Sequence, residues 1–213
     1  MMPGAVIIGA GPGIGRSVAH RFAREGLPVA LISRSGTTLD LNGALAYEAD
    51  VADEERLRAA LDAASAELGT PDVVVYNAAI IRPDAPGEAS ARVQLDAWAV
   101  NVVGALVAAA HVAPAMARRG SGSFLVTGGM LEPKAGYVSL SLGKAGVRTL
   151  VELLDQEYGH SGVHVASVTV AGPVAPGTDF DPDDIAEHYW RLHTQPRDRW
   201  EREVLHAGGG VRA

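Results

Sequence analysis

The sequence predicts an α/β protein with a doubly wound parallel sheet of about seven strands flanked by helices. Short β-branched runs alternate with Ala- and Leu-rich stretches of helical length along the chain, the pattern of strand–helix–strand units whose sheet is covered on both faces. The first apolar run ends in a glycine-rich turn, and a helical stretch follows at once. The 213 residues, 47% apolar and 20% charged, are enough for one buried core and are read as a single domain over 1–213.

In chain order, strand 5–8 is the run Ala-Val-Ile-Ile, and helix 14–25 follows the glycine turn. Strands 29–33 and 44–48 precede helix 53–68, and the all-apolar strand 73–76 precedes a long helix over 90–118. Strand 123–127, helix 139–160, strand 163–170, helix 182–193 and the short strand 203–206 complete the pattern. Helix 182–193 opens Asp181-Pro182-Asp183-Asp184: an N-cap carboxylate, proline at the first helical position, and two acids at the positive helix end. No repeat, low-complexity tract or interdomain linker occurs, and the tail 208–210 reads as frayed.

Composition excludes several function classes. The net charge is −7 and the basic residues are scattered, which argues against a nucleic-acid partner. Cysteine is absent, so there is neither a disulfide framework nor a thiolate metal site, and the cytoplasm is the default location. The N-terminus has no basic segment before its apolar run, unlike a secretory signal. The apolar stretch 97–117 is interrupted by Asn101, His111 and Pro114, and is expected to be a buried helix and not a membrane span. His188 and His193 are five residues apart, not the four of a zinc-binding helix, so no metal is expected.

The turn reads Gly9-Ala10-Gly11-Pro12-Gly13-Ile14-Gly15 between an apolar strand and an amphipathic helix. Glycines let the backbone turn tightly and approach a pyrophosphate, while the helix offers free N–H groups and a positive dipole end. This is the dinucleotide-binding turn of a Rossmann fold; the alternative is an ordinary strand-to-helix turn. At the end of the second strand, Ser33-Arg34 brings a guanidinium and no carboxylate. A 2′-phosphate prefers that arrangement and a free ribose the acidic one, so NADP(H) is favoured over NAD(H). Arg16 is a candidate second positive charge, and a solvated-loop role for Arg34 is the competing reading.

With three residues between its first two glycines and one before the third, the motif resembles that of the short-chain dehydrogenase/reductase family. The resemblance runs along nearly the whole chain. Asp50-Val51 stands where the family contacts adenine, although Asp50 also suits a cap for the helix near Asp53. Tyr76-Asn77-Ala78-Ala79 resembles the family's Asn-Asn-Ala-Gly element, with Asn77 at the retained position, and Asn101 matches its helix asparagine. Gly143-Lys144-Ala145-Gly146 is similar to the segment whose lysine holds the nicotinamide ribose.

The family's general acid, a tyrosine four residues before that lysine, falls on Leu140, which can neither donate nor accept a proton. The strand end that carries the family's substrate-orienting serine reads Thr127-Gly128-Gly129-Met130. Lys144, Asn101, Tyr137 and Thr127 are therefore the catalytic candidates. Tyr137 precedes Lys144 by seven residues, about 10.5 Å along a helix, so it is either a displaced acid or a packing residue. Val174 and Thr178, in the proline-glycine segment after the sixth strand, are candidate carboxamide or pyrophosphate contacts, or simply parts of a rigid turn.

The segment reaches Pro182 almost at once, so the mobile lid of many family members is expected to be absent or very short. His188, Tyr189, Trp190 and His193 on one helix read as packing residues, with a border to substrate or a proton donor as the alternative, so that the proton would come from Tyr137, a histidine or solvent. The resemblance implies a homo-oligomer, a dimer or tetramer paired through the helices that carry Asn101 and Lys144, and the stretches 97–117 and 147–154 are apolar enough to do likewise. The resemblance implies an NADP(H)-dependent oxidoreductase acting on a small carbonyl or alcohol. A catalytically silent dinucleotide-binding protein, a redox sensor or partner subunit, is the alternative, and non-redox catalysis ranks last.

Overall fold

The computed structural model describes residues 4–209; Met1, Met2 and Pro3, and Gly210 of the tail read as frayed, lie outside the described residues. Seven strands, β1 (Ala5–Ile8), β2 (Val29–Ser33), β3 (Leu45–Glu48), β4 (Val73–Tyr76), β5 (Gly122–Gly129), β6 (Val163–Val170) and β7 (Glu203–His206), form one sheet. Their order is β3-β2-β1-β4-β5-β6-β7 and every pairing is parallel, the doubly wound arrangement that the alternation predicts.

The helices are α1 (Ile14–Arg24), α2 (Glu54–Leu68), α3 (Ala91–Trp98), α4 (Gly104–Arg119), α5 (Val138–Tyr158) and α6 (Pro182–Thr194). Successive strand residues point to opposite faces, and both faces are buried. Ile7, Leu31, Val75 and Leu125 pack with Phe22 of α1 and with Ile185 and Tyr189 of α6. Ile8, Ile32, Val74 and Phe124 pack with Leu57 of α2, Met116 of α4 and Val147 of α5. Each such side chain, fully buried, contributes about 1.5–3 kcal/mol, which is why the strands read as unbroken apolar runs.

Asp53, Ser90 and Asp181 cap α2, α3 and α6, accepting hydrogen bonds from Arg56, Val93 and Asp183 N–H. Positions 53 and 90, expected as first helical residues, are thus caps. β5 runs two residues beyond the expected strand because Gly128 and Gly129 still pair with Thr169 and Val170. The expected single helix over 90–118 contains a π-helical turn at Ala99–Val103 between α3 and α4. That rod is long and apolar enough to cross a membrane, but Ala105, Ala108, Ala109, Val112 and Met116 are buried in the core between the sheet and its neighbours.

Candidate functional site

β1 has β2 on one side and β4 on the other, so the winding reverses between β1 and β4. In sheets of this kind ligands bind in the crevice outside the strand ends at that point. Gly9 leaves β1 there with φ +80°, and a Cβ on it would lie 2.3 Å from the Ala78 nitrogen. A Cβ on Gly15 would lie 2.7 Å from the Gly9 oxygen. The protein's own packing therefore requires these two glycines.

Gly11 and Gly13 are different: a Cβ on either meets nothing within 4 Å. They border open space. Gly13 caps α1 without a side-chain hydrogen bond, and the N–H groups of Gly13, Ile14 and Gly15 find no acceptor among the described residues. Free donors at a helix N-terminus, beside backbone that a ligand can approach closely, fit the pyrophosphate of a dinucleotide.

Beside the turn, Asn77 Nδ2 donates to the Gly9 carbonyl at 3.0 Å and the Asn77 N–H to that of Ile8, which ties β4 to the turn. Ser33 ends β2, and its hydroxyl accepts from the Gly36 N–H. Arg34 is exposed and makes no ion pair among the described residues, and Arg16 is exposed just inside α1. Asp50 Oδ1 accepts from the Ala52 N–H in a local turn, and since Asp53 caps α2, the capping alternative for Asp50 does not hold. Val51 is buried, and its carbonyl would stand 2.9 Å from a Cβ at Gly104.

The absence of a side chain at Gly104 also makes room for the Tyr76 hydroxyl, which donates to the Val100 carbonyl at 2.6 Å inside the π turn. Burial, with the Asp50 charge in addition, pushes the Tyr76 phenol well up and keeps it a donor. In the same turn Asn101 Oδ1 accepts from the Ile80 N–H at 2.7 Å, and its Nδ2 donates to the Ile80 carbonyl. The loop after β4 is thereby fastened to the helix. Gly143 of α5 packs directly on Asn101, where a Cβ would come within 2.7 Å.

One residue further along α5, Lys144 is buried and its Nζ donates to the Thr127 carbonyl at 2.6 Å. Burial alone pushes its ammonium down to about 8, with no charged group compensating. Leu140 lies one turn before it, also buried. Tyr137 caps α5 and is partly exposed, and its phenol makes no hydrogen bond among the described residues. Nearby, Asp84 accepts from the Ser139 N–H, and Ser139, then Gln94 and Arg82, hold its carboxyl below the usual carboxylate range.

The Thr127 hydroxyl is engaged on the other side of the sheet. It donates to Asn77 Oδ1 at 2.8 Å and stands 2.7 Å from the hydroxyl of Tyr189, which burial holds protonated. Thr127, expected as a catalytic hydroxyl, is in this structure the middle of an internal chain from α6 through β5 and Asn77 to Gly9. Tyr189, one of the cluster on α6 read as packing residues or as a border to substrate, is fully buried and ends this chain.

Between β6 and α6, the Thr178 hydroxyl donates to the Ala175 carbonyl at 2.7 Å and accepts from the Phe180 N–H, closing a tight turn. Phe180 lies against Gly172. Val174 is exposed. Nine residues separate Ala171 from Asp181 and they fold back on themselves, in keeping with the short segment expected there. Trp190 and His193 pack on Phe22, and His193 meets Ser123 at the opposite end of β5. His188 Nε2 lies 3.0 Å from His206 Nδ1.

Fold and crevice together define a dinucleotide-binding α/β protein. Residues 4–183 match the family model for short chain dehydrogenases, and the chain belongs to that family, whose members bind nicotinamide dinucleotides. It is 31% identical over 178 residues to cis-4-hydroxycyclohexanecarboxylate dehydrogenase of Sinomonas cyclohexanicum, an alignment covering 77% of this chain and 70% of that protein. It is also 31% identical to the probable oxidoreductase EphD of Mycobacterium tuberculosis (strain ATCC 25618 / H37Rv), covering 84% of this chain but only 34% of that longer protein. A metagenomic short-chain oxidoreductase solved in complex with NADP superposes with a TM-score of 0.84 at 25% identity, covering 95% of this chain and 96% of the other.

Proposed function

We propose that this protein is an NADP(H)-dependent oxidoreductase that interconverts a small carbonyl compound and its alcohol. The observation that carries the reading is the cradle at Gly11 and Gly13, open to a ligand and backed by the unpaired N–H groups of Gly13, Ile14 and Gly15. These amides take the pyrophosphate, Asn77, Asp50, Val51 and Ala78 border the adenosine, and Lys144 with Asn101 lies at the nicotinamide end. A nicotinamide bound there supplies or accepts a hydride. Arg34, exposed and without a carboxylate partner, recognises a 2′-phosphate, and the relative solved with NADP supports that preference. Val174 lines the carboxamide through its backbone; Thr178, whose hydroxyl is engaged in its own turn, has no more than a positioning role.

The test is fluorescence titration with NADPH and NADH, followed by turnover on a panel of aldehydes, ketones and alcohols. Arg34→Ala is expected to weaken NADPH about 10- to 100-fold, the value of a charge-assisted pair, and to leave NADH within a few-fold. Equal affinity for both cofactors in wild type and variant would remove the NADP(H) assignment. Leu140 favours a second reading, a silent dinucleotide-binding subunit, and tight binding with no turnover would select it.

The exposed Leu95, Trp98 and Leu106 on α3 and α4, with Leu142 and Leu153 on α5, make a homo-oligomer part of the proposal. A strictly monomeric species in sedimentation at micromolar concentration would remove that part.

A further inference from the structure

We propose that Lys144 is itself the proton donor and acceptor for the substrate oxygen, acting directly and not through a phenol. The proposal rests on the functional reading above and assigns that site its missing acid.

Most side chains around Lys144 are apolar or already engaged; the exceptions among the described residues are the partly exposed Tyr137 phenol and the buried Ser139 hydroxyl. Position 140, one turn earlier on the same helix face, is a buried leucine. On α5 the Ser141 hydroxyl is engaged with the Lys134 backbone in both directions. On β5 the Thr127 hydroxyl is held by Asn77 and Tyr189. Tyr189 packs among α1, α6 and that face of the sheet, the layer opposite α5, and is fully buried. Asn101 on the π turn is engaged with Ile80 and does not titrate.

The ammonium, by contrast, spends one of its three N–H groups on the Thr127 carbonyl. No carboxylate pairs with it among the described residues, and no charged group on β5, β6, α3 or α4 acts on it. Gly129, which has no side chain, runs alongside the stem, and an added Cβ would be in van der Waals contact with Lys144 Cε at 3.7 Å. A lysine desolvated without a counter-charge is poised to exchange its proton near neutrality, which is what acid–base catalysis needs.

Proton bookkeeping closes with a reduced nicotinamide dinucleotide as the named reductant. As the carbonyl carbon accepts hydride, one N–H bond of the ammonium breaks. Its proton forms the O–H bond of the alcohol, and the electron pair remains on nitrogen as the lone pair of the neutral amine. Water returns a proton to the amine before the next turnover. In alcohol oxidation the neutral amine takes the hydroxyl proton.

The sequence holds two lysines, Lys134 and Lys144. The full chain carrying Lys134→Arg and 13Cε-labelled lysine therefore gives one ε resonance, whose titration without cofactor is expected to centre near pH 8. A midpoint above about 10, the ordinary lysine range, overturns the proposal. In turnover, kcat/KM for carbonyl reduction is expected to fall tenfold per unit above that midpoint. Lys144→Arg, which keeps the charge but cannot release the proton, and Lys144→Met are each expected to lose about 100-fold or more.

A pH profile flat to pH 10, an alkaline limb that disappears in Tyr137→Phe, or wild-type turnover in Lys144→Arg overturns it. So does a borohydride-trapped adduct of Lys144 with the carbonyl substrate, which would make the amine a nucleophile. Failure of NADPH to bind the wild type rejects the functional reading instead. Binding without turnover rejects both the oxidoreductase reading and the acid role.

Discussion

The four glycines of the turn after β1 separate into two pairs, and replacing one from each gives opposite phenotypes. In Gly11→Ala the added methyl meets nothing within 4 Å, and position 11 is not among the glycines with positive φ. The free protein should keep its stability or gain a few tenths of a kcal/mol, because alanine restricts the unfolded chain. Its Cβ, however, occupies the space through which a pyrophosphate approaches, and the Kd for NADPH is expected to rise about 100-fold, about 2.7 kcal/mol. Gly9→Ala combines a left-handed backbone, φ +80°, with a Cβ 2.3 Å from the Ala78 nitrogen. The first costs about 1–2 kcal/mol and the second about 1–3 kcal/mol, a fall in Tm of at least about 4 °C for a chain of this size. Calorimetry without ligand, paired with NADPH fluorescence titration, reads both effects. Gly11→Ala binding NADPH as tightly as the wild type, or unfolding as easily as Gly9→Ala, would refute the assignment of the open pair to a ligand.

Two further outcomes follow from buried polar groups. Lys144 is depressed from 10.5 to about 8 in the folded chain, so below pH 8 both states carry the proton and the folded state bears the cost of burying it. Stability should therefore rise between pH 8 and 10.5, by as much as about 3 kcal/mol; urea melts across that window should show the rise in wild type and lose it in Lys144→Met. Thr127→Val removes the link between Tyr189 and Asn77 and leaves the buried Tyr189 hydroxyl and the part-buried Asn77 Oδ1 without that partner. A loss of about 3 kcal/mol in chemical denaturation is expected, with little change in NADPH affinity because Asn77 still reaches Gly9.

Much of this architecture is legible in local patterns. Strand periodicity, the glycine turn and the Asp181-Pro182 start of α6 depend on neighbours in sequence, and the structure places them within a residue or two of expectation. What was not legible depends on contacts between layers. The π turn exists because Tyr76 and Ile80 reach Val100 and Asn101 from another element, and the apolar spacing of 90–118 contains no sign of it. The partners of Thr127 lie 50 and 62 residues away on different elements, so its residue type suggested a free hydroxyl where the fold has an engaged one. Thr178 was equally ambiguous, since a threonine in a proline-glycine segment suits a ligand contact or a turn, and only the Ala175 hydrogen bond distinguishes them.

Gly128 shows how closely β5 and β6 approach each other. A Cβ there would lie 2.3 Å from the Thr169 hydroxyl, which is hydrogen-bonded to Glu203 at 2.5 Å. Any side chain at 128 therefore requires Thr169 to shrink or turn away, and with it the contact to Glu203 on β7. The position is coupled across the sheet to its far edge, so three strands must adjust together before a hydroxyl can be placed at that strand end.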